Sequence, residues 1–565
     1  MQIINWLIDT FKHYPELAVF LTLAAGFAIG KIKIGSFHLG PVTGVLLAGI
    51  LVGQLGVHVS ANVESVFFLL FLFSVGYGVG PQFFQGLKKN GLAQALFSFI
   101  LCSLSLATAY FLSLMFGFDA GTGAGLLAGA NTSSTIIGVS VDTIDQLDLL
   151  DTQKQVLLNH VPVAYAVTYI FGTAGVAWFL AVVAPKMLGG NVKERCKELE
   201  ASMEDADANE NIRSAYDQVA FRSFYVNKDW FKNGRTVKEF EQFITERHKT
   251  AHILRIRHKG EIIEPTENTR VYTNDIVATS GPRDTIIGVE EFIGEEIADT
   301  ELLNFPVESR RIIVTNQSQA GQTVNSLRRR DFMHGIGVRK LERGNVEMPL
   351  KSATRIEKGD ILELVGAQKQ LDIATGYIGF AEKKGDEADI IFIAAGIVLG
   401  GLLGALAIRI KHVPLSLSTS GGALISGLLL GWLRSRKNLF GYIPTPSQWL
   451  MRTLGLNMFI AVVGIRASHG FVEGLRELGI TLFLAGVVVS MVPMIVGVLL
   501  GRYVFKFHPA ITLGACAGAH NESAALGAVQ DAMDSKVPAL GYTVTYAVAC
   551  MLLATFGVIM VALLQ

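Results

Sequence analysis

Two long apolar regions flank a block in which polar and apolar residues alternate over short distances. Stretches long enough to cross about 30 Å of hydrocarbon recur five times in each region: near 16–34, 39–57, 64–82, 91–117 and 156–184, and again near 389–408, 415–433, 450–469, 477–503 and 537–563. The block between them predicts short strands and helices. The pattern therefore predicts a polytopic α-helical membrane protein with a soluble α/β domain inserted between its two halves.

Each half also contains one segment that does not fit a uniform lipid-facing helix. Residues 120–141 and 509–530 are rich in Gly, Ala, Ser and Asn and are polar at the centre. Irregular backbone at membrane depth is tolerated only where protein or a water-filled cavity surrounds it. The sequence therefore predicts one re-entrant or broken element in each half, in addition to five spans.

The two halves resemble each other in sequence. Four pairs of strings lie 377–389 residues apart and in the same order: 39–56 with 417–433, 70–91 with 458–479, "LLAGANTSS" (126–134) with "ACAGAHNES" (515–523), and "YAVTYIFG" (165–172) with "YTVTYAVA" (542–549). An odd number of spans per half would invert one half relative to the other. The repetition predicts two inverted repeats of a secondary transporter, with the transport site where the repeats meet.

The distribution of charge supports this division. Residues 1–185 contain 14 charged residues and residues 389–565 contain 17, whereas the 203 residues between them contain 65. Because a charge at the bilayer centre costs about 2.5–3.5 kcal/mol, the flanking halves fit a membrane and the middle block does not. The positive-inside rule then puts the soluble block in the cytoplasm and both termini outside. A net charge of zero gives no basis for a nucleic-acid partner.

The soluble block is itself doubled. Residues 252–281 resemble residues 335–366, and Asp275 corresponds to Asp360. We expect a first membrane repeat over 1–188, a linker helix over 189–218, lobes over 219–300 and 301–382, and a second membrane repeat over 383–565. The pattern resembles the C-terminal lobes of RCK (regulator of conductance of potassium) domains. That resemblance implies cytoplasmic lobes that bind a small regulatory ligand or serve only for dimerisation, and the sequence does not choose between these roles.

The centres of the two unusual segments are the predicted substrate site. Unwound backbone there would expose N–H groups and helix N-termini, which attract carboxylates. Hydroxyl and amide side chains add neutral donors and acceptors for a carboxyl or amino group. The candidates are Asn131, Thr132, Ser133 and Ser134 in the first segment, and His520, Asn521, Glu522 and Ser523 in the second.

Three ionisable residues inside apolar segments have more than one interpretation, since intramembrane ionisable groups are usually functional. Glu522 could bind a substrate ammonium, and either Glu522 or His520 could couple transport to protons. An internal ion pair that holds the segment closed is the structural alternative. Arg466 could hold a carboxylate with its planar guanidinium, pair with Glu522, or extend to the outer face.

Several glycines predict close helix packing or hinges: Gly76, Gly78, Gly129, Gly464 and Gly518. Residues 74–78 read "SVGYG", similar to a potassium-channel filter, and an ion channel gated by the lobes is therefore a competing hypothesis. The string ends a long apolar stretch, and its partner in the second half lacks the Tyr-Gly, so helix packing is favoured.

The sequence predicts neither a metal site nor a cofactor, and nothing in it indicates an enzyme. The loop over 142–154 has Asp142, Asp145, Asp148 and Asp151 at three-residue spacing, which the intervening apolar residues make an exposed acidic helix face rather than a metal site. No phosphate-binding loop for ATP is present in the sequence.

The string "GYGVGPQFFQGLKKNG" at 76–91, its mate "GIRASHGFVEGLRELG" at 464–479 and the doubled lobes together resemble the aspartate:alanine exchanger family of bacterial transporters. The resemblance covers almost the whole chain. It implies a homodimeric inner-membrane antiporter that exchanges L-aspartate for L-alanine. By analogy with other dimeric carriers built from inverted repeats, we expect an elevator-type movement. An ion-coupled exporter of dicarboxylates or amino acids on the same fold is the other transporter hypothesis.

Overall fold

The computed structural model describes residues 2–34, 37–38, 40–87, 91–189, 191–202, 219–247, 251–282, 286, 288–304, 307–333, 335–344, 346–382, 388–406, 408–410, 413–415, 418–436 and 441–565. These residues divide into two compact units. The membrane unit contains Met1–Lys197, Gly344–Val346 and Lys384–Gln565, and the soluble unit contains Glu198–Arg343 and Glu347–Lys383.

The first half of the membrane unit is helical apart from one short antiparallel strand pair. Its helices are α1 (Gln2–His13), α2 (Pro15–Gly30), α3 (Pro41–Gly53), α4 (Ala61–Gly86), α5 (Leu92–Phe116), α6 (Ala120–Ala130), α7 (Ser134–Asp145), α8 (Asp151–Trp178), α9 (Ala184–Met187) and α10 (Val192–Ser202). Strands β1 (Lys33–Ile34) and β2 (Phe37–His38) pair between α2 and α3, and a π-helical turn over Phe179–Val183 follows α8. Part of the predicted linker helix is thus α10, and the rest of it lies outside the described residues.

In its described residues from Val219 onward, the soluble unit combines strands with four short helices. In chain order its elements are β3 (Val219–Tyr225), β4 (Arg235–Thr236), α11 (Val237–Thr245), β5 (His252–His258), β6 (Glu261–Ile263), β7 (Arg270–Val271), β8 (Ile276–Pro282), α12 (Glu290–Ile293), β9 (Glu296–Ile297), β10 (Val307–Val314), α13 (Val324–Arg328), β11 (Gly337–Arg343), β12 (Val346–Glu347), β13 (Ile361–Ala367), α14 (Gln368–Ile378) and β14 (Gly379–Ala381), with 3₁₀ turns at Asp229–Phe231 and Asp331–Met333.

Two antiparallel five-stranded sheets organise this unit. Their strand orders are β6-β5-β8-β3-β9 and β12-β11-β13-β10-β14, so strands in corresponding chain positions occupy corresponding places. The aspartates that match in sequence also match in structure. Asp275 accepts from the Tyr272 backbone N–H and contacts His258, while Asp360 accepts from the Glu357 backbone N–H and pairs with a buried arginine. The soluble block is therefore doubled in structure as well as in sequence.

The second half of the membrane unit repeats the helical character of the first. It comprises α15 (Ile390–Gly404), the strand pair β15 (Ile408–Ile410) and β16 (Val413–Leu415), α16 (Ser418–Arg436), α17 (Thr445–Tyr503), α18 (Pro509–Ala519), α19 (Ser523–Met533) and α20 (Ala539–Leu563). Six helical stretches among the described residues are long and apolar enough to cross a membrane: Asn62–Phe84, Leu92–Phe116, Asp151–Met187, Thr445–Ser468, Gly479–Tyr503 and Ala539–Leu563. A multi-pass membrane protein is confirmed.

Two details of the membrane unit differ from the separate spans that hydropathy predicts. Helix α3 has 13 residues and rises only about 20 Å. It begins at Pro41, directly after Gly40 with a φ of 82°, and it ends at Gly53. The spans predicted at 450–469 and 477–503 both lie within α17, and the connection expected between them is helical. Hydropathy identified the apolar stretches, but it did not predict how short α3 is or that α17 is one uninterrupted helix.

Glycines allow the helices to pack closely. Helix α4 crosses α16, where Gly76 lies against the Leu424 carbonyl. Gly464 on α17 lies against α3, where a side chain on it would come within 2.8 Å of the Leu46 carbonyl oxygen. Gly78 does not fit the packing role predicted for it, because a Cβ there would meet only the Gln448 side chain, at 3.8 Å.

The string at 74–78 is not a filter in this structure. It lies inside α4, which continues to Gly86, so its carbonyls accept helical hydrogen bonds instead of facing an ion. The Ser74 hydroxyl donates to the Gln448 carbonyl at 3.1 Å, and the Tyr77 hydroxyl donates to the Gly441 carbonyl at 2.8 Å. Both contacts hold α4 against the second half of the unit.

Substitution of two glycines separates the packing role from the filter role. We expect Gly76→Ala to destabilise the protein by about 1–3 kcal/mol, because the methyl group would collide with the Leu424 backbone. Gly78→Ala, which has room, should be close to wild type. The melting temperature of the purified full-length protein measures both. Loss of transport in Gly78→Ala at unchanged stability would instead support a filter.

Candidate substrate site

Helices α6 and α7 form a hairpin, called here the first hairpin. Helix α6 runs alongside α8 in the same direction. Gly121 lies against the Leu157 carbonyl, and a Cβ built on Gly129 would lie 2.6 Å from the Tyr165 carbonyl oxygen. Helix α7 then returns toward the start of α8, where the Lys154 ammonium donates to the Asp145 carbonyl at 2.9 Å. The first hairpin therefore enters and leaves at one end of α8.

Helices α18 and α19 form the second hairpin in the same way. Helix α18 runs alongside α20, with Gly514 against the Pro538 carbonyl and Gly518 against the Tyr542 carbonyl. Helix α19 ends at Met533, and α20 begins six residues later at Ala539. This hairpin enters at the start of α20.

The hairpins approach each other from opposite ends of α8 and α20. The far end of α20 reaches the base of the first hairpin, where Leu564 and Met560 lie against Gly123. The tip of the second hairpin reaches the later part of α8, where the His520 Nε2 atom lies 3.2 Å from the Gly172 carbonyl oxygen. The tips are therefore at similar depth between the two helices.

Both tips have the same break in the backbone. Thr132 and Asn521 adopt the left-handed region, with φ of 51° and 60°. The next residues, Ser133 and Glu522, are extended and act as N-caps of α7 and α19. A left-handed conformation costs a residue with a side chain about 1 kcal/mol or more and persists where its surroundings impose it. The structure thus matches the two tips residue by residue, with a constant offset of 389.

The tips meet. The Thr132 hydroxyl donates to the His520 carbonyl at 3.5 Å. Each tip is also held by a long helix of the other half: the Ser490 hydroxyl of α17 donates to the Ala130 carbonyl at 3.0 Å, and the Cys102 thiol of α5 donates to the Ala519 carbonyl at 3.5 Å. The predicted residues of the two segments are therefore brought together.

At the first tip, two of the predicted side chains are occupied by protein contacts. The Asn131 amide donates to the Leu127 carbonyl at 2.9 Å, and it exchanges hydrogen bonds with the Ser105 hydroxyl. The Ser134 hydroxyl lies 3.1 Å from the Tyr165 hydroxyl. Asn131 is buried and its contacts are internal, so its role in the structure is to fix the break.

Ser133 differs from its neighbours. Its side chain is 1% exposed, and its hydroxyl has no hydrogen-bond partner among the residues that the structure describes. A buried polar group without a partner costs roughly 1–3 kcal/mol. Ser133 is therefore the side chain of the first tip whose hydrogen-bonding capacity is left unused.

At the second tip, the carboxyl group of Glu522 caps its own helix. Its Oε1 atom accepts from the Ala524 backbone N–H at 2.8 Å, and the residue is buried. The amide oxygen of Asn521 accepts from the Cys550 thiol at 3.0 Å. Ser523, the first residue of α19, is exposed, whereas His520 and Glu522 are buried.

Two tyrosine pairs flank the tips in equivalent positions. The ring centroids of Tyr165 and Tyr169 on α8 are 5.1 Å apart, and those of Tyr542 and Tyr546 on α20 are also 5.1 Å apart. Glu522 acts electrostatically on all four phenols. The repeat of the "TY" strings in the sequence was the signal for these helices, although it did not single out their tyrosines.

Arg466 is not part of this cluster. Its guanidinium donates to the Glu64 carboxylate at 2.6 Å, and Glu64 is 6% exposed. The sequence predicted a substrate contact, with Glu522 as the alternative ion-pair partner. The partner is instead Glu64 at the start of α4, which sequence spacing could not reveal because the two residues are 402 positions apart.

The Glu64–Arg466 pair predicts a particular mutational pattern. Arg466→Gln leaves a buried carboxylate without its partner, and we expect a loss of about 3–5 kcal/mol in stability. The double variant Glu64→Gln/Arg466→Gln should recover most of that loss. Melting temperatures of the three proteins test this. If Arg466→Gln had normal stability but no longer bound substrate, Arg466 would be a substrate-binding residue after all.

A different arginine, Arg452, interacts with residues beside the second tip. It lies on α17, and it acts electrostatically on Tyr542, Tyr546 and Cys550 beside the second tip. In the described part of the chain it forms no ion pair. Arg452 is thus a cation near the tips, where Arg466 had been expected.

The four aspartates of the 142–154 loop do not form one helix face. Asp142 and Asp145 belong to α7, Asp148 lies in the turn, and Asp151 begins α8. Asp142 is half-buried and accepts from the Ser420 hydroxyl, whereas the other three are exposed. No cluster of three or more metal-ligating side chains occurs in the ranges that the structure describes.

The proteins that this chain resembles are transporters. A family model described as a predicted permease membrane region matches residues 18–185 and 392–562. An uncharacterized transporter of Shewanella oneidensis is 42% identical over 567 residues, covering 99% of this chain and 100% of the relative. Uncharacterized transporters of Bradyrhizobium diazoefficiens and Bordetella parapertussis are each 36% identical, covering 91% and 99% of this chain and 100% and 98% of the relatives. No solved structure matches the chain.

Proposed function

The chain belongs to the Asp-Al_Ex family of predicted permeases, and from this premise we propose that it is a secondary antiporter that exchanges L-aspartate for L-alanine. Membership and the transporter relatives support a membrane transporter in general. The substrate pair rests on the resemblance of the chain, over almost its whole length, to exchangers of aspartate for alanine. The proposed activity requires no cofactor.

The meeting of the two hairpin tips is the observation that carries the proposal. The Thr132 hydroxyl and the His520 carbonyl are 3.5 Å apart, so the two broken elements share one place. Secondary transporters built from repeats bind substrate where broken helices meet near the middle of the membrane. An amino acid placed there would be bound by helix N-termini, hydroxyl groups and Glu522.

The charged groups near the tips suit an acidic amino acid. Glu522 is the anion that would hold the substrate ammonium. Arg452, which acts electrostatically on Tyr546, is the cation available for a second carboxylate, which aspartate has and alanine lacks. An arginine is suited to this because its planar guanidinium matches a carboxylate.

We further propose that the two membrane halves are inverted repeats and that the hairpins move together against the remaining helices, as in an elevator. The matching breaks at Thr132 and Asn521, and the entry of the hairpins from opposite ends of α8 and α20, support this arrangement. The chain would then be a homodimer in the bacterial inner membrane, with both termini outside. Its doubled soluble unit would be a pair of RCK-type lobes in the cytoplasm that dimerise or bind a small regulator.

A second function has a specific observation in its favour. His520 and Glu522 are buried, titratable and two residues apart at the second tip. Such a pair suits a carrier in which protons drive the export of a dicarboxylate or amino acid. Transport would then depend on an imposed proton gradient rather than on a substrate on the other side.

Counterflow into proteoliposomes tests the exchange. Vesicles containing the purified full-length protein are preloaded with L-aspartate or left empty, and uptake of labelled L-alanine and L-aspartate is measured. We expect uptake into preloaded vesicles to exceed uptake into empty ones severalfold, because an obligatory exchanger needs a substrate on the inside to complete its cycle. Equal uptake into empty vesicles rejects exchange, and uptake into empty vesicles only under a proton gradient supports the second function.

A further inference from the structure

The two hairpin tips have the same backbone but differ in the charge at one equivalent position. In the second hairpin the N-cap of α19 is Glu522, and its carboxylate accepts from the Ala524 backbone N–H at 2.8 Å. In the first hairpin the N-cap of α7, 389 residues earlier, is Ser133, whose side chain makes no capping hydrogen bond. One helix N-terminus thus already holds a carboxylate, and the other does not.

The N-terminus of α7 lacks the partner that its chemistry favours. The helix has 12 residues, and the first N–H groups of a helix carry partial positive charge and attract an anion. The Ser133 hydroxyl beside them is 1% exposed and has no partner in the described chain. Neighbouring polar groups do not supply one, since Asn131 bonds Ser105 and Leu127, and Ser134 lies against Tyr165.

We infer that the N-terminus of α7, with the Ser133 hydroxyl, is the subsite for a carboxylate group of the transported substrate. Glu522 marks the same position in the second hairpin, where the protein provides the carboxylate itself. The inference rests on the proposed function, because it assumes that the tips are where substrate binds. It deepens that function by giving the two tips different tasks.

The arrangement fits a molecule that carries both a carboxylate and an ammonium group. The carboxylate accepts from the Ser133 hydroxyl and from backbone N–H groups at the start of α7. The ammonium group then faces the Glu522 carboxylate, which lies across the junction where Thr132 contacts His520. Because the tips touch, the substrate reaches this position when the hairpins part.

Water or a cation are the other occupants to consider. A water molecule would satisfy the Ser133 hydroxyl, but a hydrated turn would gain nothing from a negative charge placed at position 133. A cation is disfavoured by the positive end of the α7 dipole. A test that changes only charge at position 133 therefore separates a carboxylate subsite from a hydrated turn.

The first arm of the test needs no ligand. Ser133→Glu places at the first tip the residue that occupies the equivalent position in the second, and Ser133→Gln has nearly the same shape without the charge. In the purified full-length protein we expect Ser133→Glu to melt at a higher temperature than Ser133→Gln, by roughly 2 °C or more. Equal melting temperatures, or a lower one for Ser133→Glu, overturn the inference whatever the substrate is.

The second arm measures binding of L-aspartate and of succinate, which keeps the carboxylates and lacks the ammonium group. We expect Ser133→Ala to weaken both by roughly ten-fold or more and Ser133→Glu to bind neither. Ser140→Ala is the matched control, because Ser140 is also a buried serine without a described partner, on the same helix but away from the tip. It should bind as wild type does.

The outcomes separate this inference from the proposed function. If wild type binds aspartate and Ser133→Ala is indistinguishable from Ser140→Ala, the subsite is wrong and the exchanger stands. If wild type binds neither probe, the proposed substrate is wrong, and the melting temperatures of the Glu and Gln variants still decide whether α7 holds a carboxylate.

Discussion

Glu522→Gln should reduce exchange of aspartate for alanine by about 100-fold while leaving the melting temperature of the protein nearly unchanged. The glutamine amide keeps an oxygen that can accept from the Ala524 N–H, so the cap of α19 is preserved. What is lost is the negative charge beside the substrate ammonium. Charge-assisted hydrogen bonds contribute about 1.5–3 kcal/mol, and the upper part of that range corresponds to the expected factor.

The control for this variant is Asp531→Asn, which removes an exposed acid from the same helix. It should transport at the wild-type rate, because its carboxylate is distant from the tip. Initial rates of counterflow in proteoliposomes, normalised to reconstituted protein, measure both variants. Wild-type exchange in Glu522→Gln would remove the carboxylate from substrate binding and leave it the structural task of capping α19.

The hairpins could be predicted from the sequence because they carry a local and a repeated signal. Small and polar residues at 120–141 and 509–530 exclude a lipid-facing helix, and the offset of 389 residues aligns the tips one by one. The structure adds what the composition cannot contain. Thr132 and Asn521 are the residues with positive φ, although the run of glycines before each of them suggested that the flexibility would lie in the glycines.

The roles of individual polar residues could not be predicted, since they depend on contacts between distant parts of the chain. Asn131 and Ser133 look equally suitable for a ligand in the sequence. In the structure Asn131 is engaged by Ser105, which is 26 residues away, while the Ser133 hydroxyl has no described partner. The role of Arg466 was likewise unpredictable, because its partner, Glu64, lies on α4 in the other half.

The length of the helix predicted over 39–57 was overestimated for a related reason. Hydropathy averages over a window, so it records the apolar residues near 39–57 without the conformation of Gly40 that begins α3 two residues later than expected. The soluble unit was easier, because its two copies differ from the membrane halves in periodicity and their five-stranded sheets have the same strand order.

Alanine at Gly129 or at Gly518 should impair the protein to a similar degree, and strongly. A Cβ on Gly129 would collide with the Thr168 hydroxyl and lie 2.6 Å from the Tyr165 carbonyl oxygen. A Cβ on Gly518 meets the equivalent atoms on α20, at the same 2.6 Å from a tyrosine carbonyl oxygen. Since a backbone carbonyl cannot rotate away, we expect a cost of about 1–3 kcal/mol and a displaced tip, with exchange reduced at least about ten-fold.

Gly527→Ala is the control, because Gly527 lies in the second hairpin and no atom stands within 4 Å of a Cβ built there. It should keep wild-type stability and exchange. The decisive comparison is between the first two variants, whose melting temperatures and counterflow rates should fall together. If alanine at Gly129 were harmful and alanine at Gly518 harmless, the two hairpins would not pack as equivalent elements, and a substrate site shared between their tips would lose its structural basis.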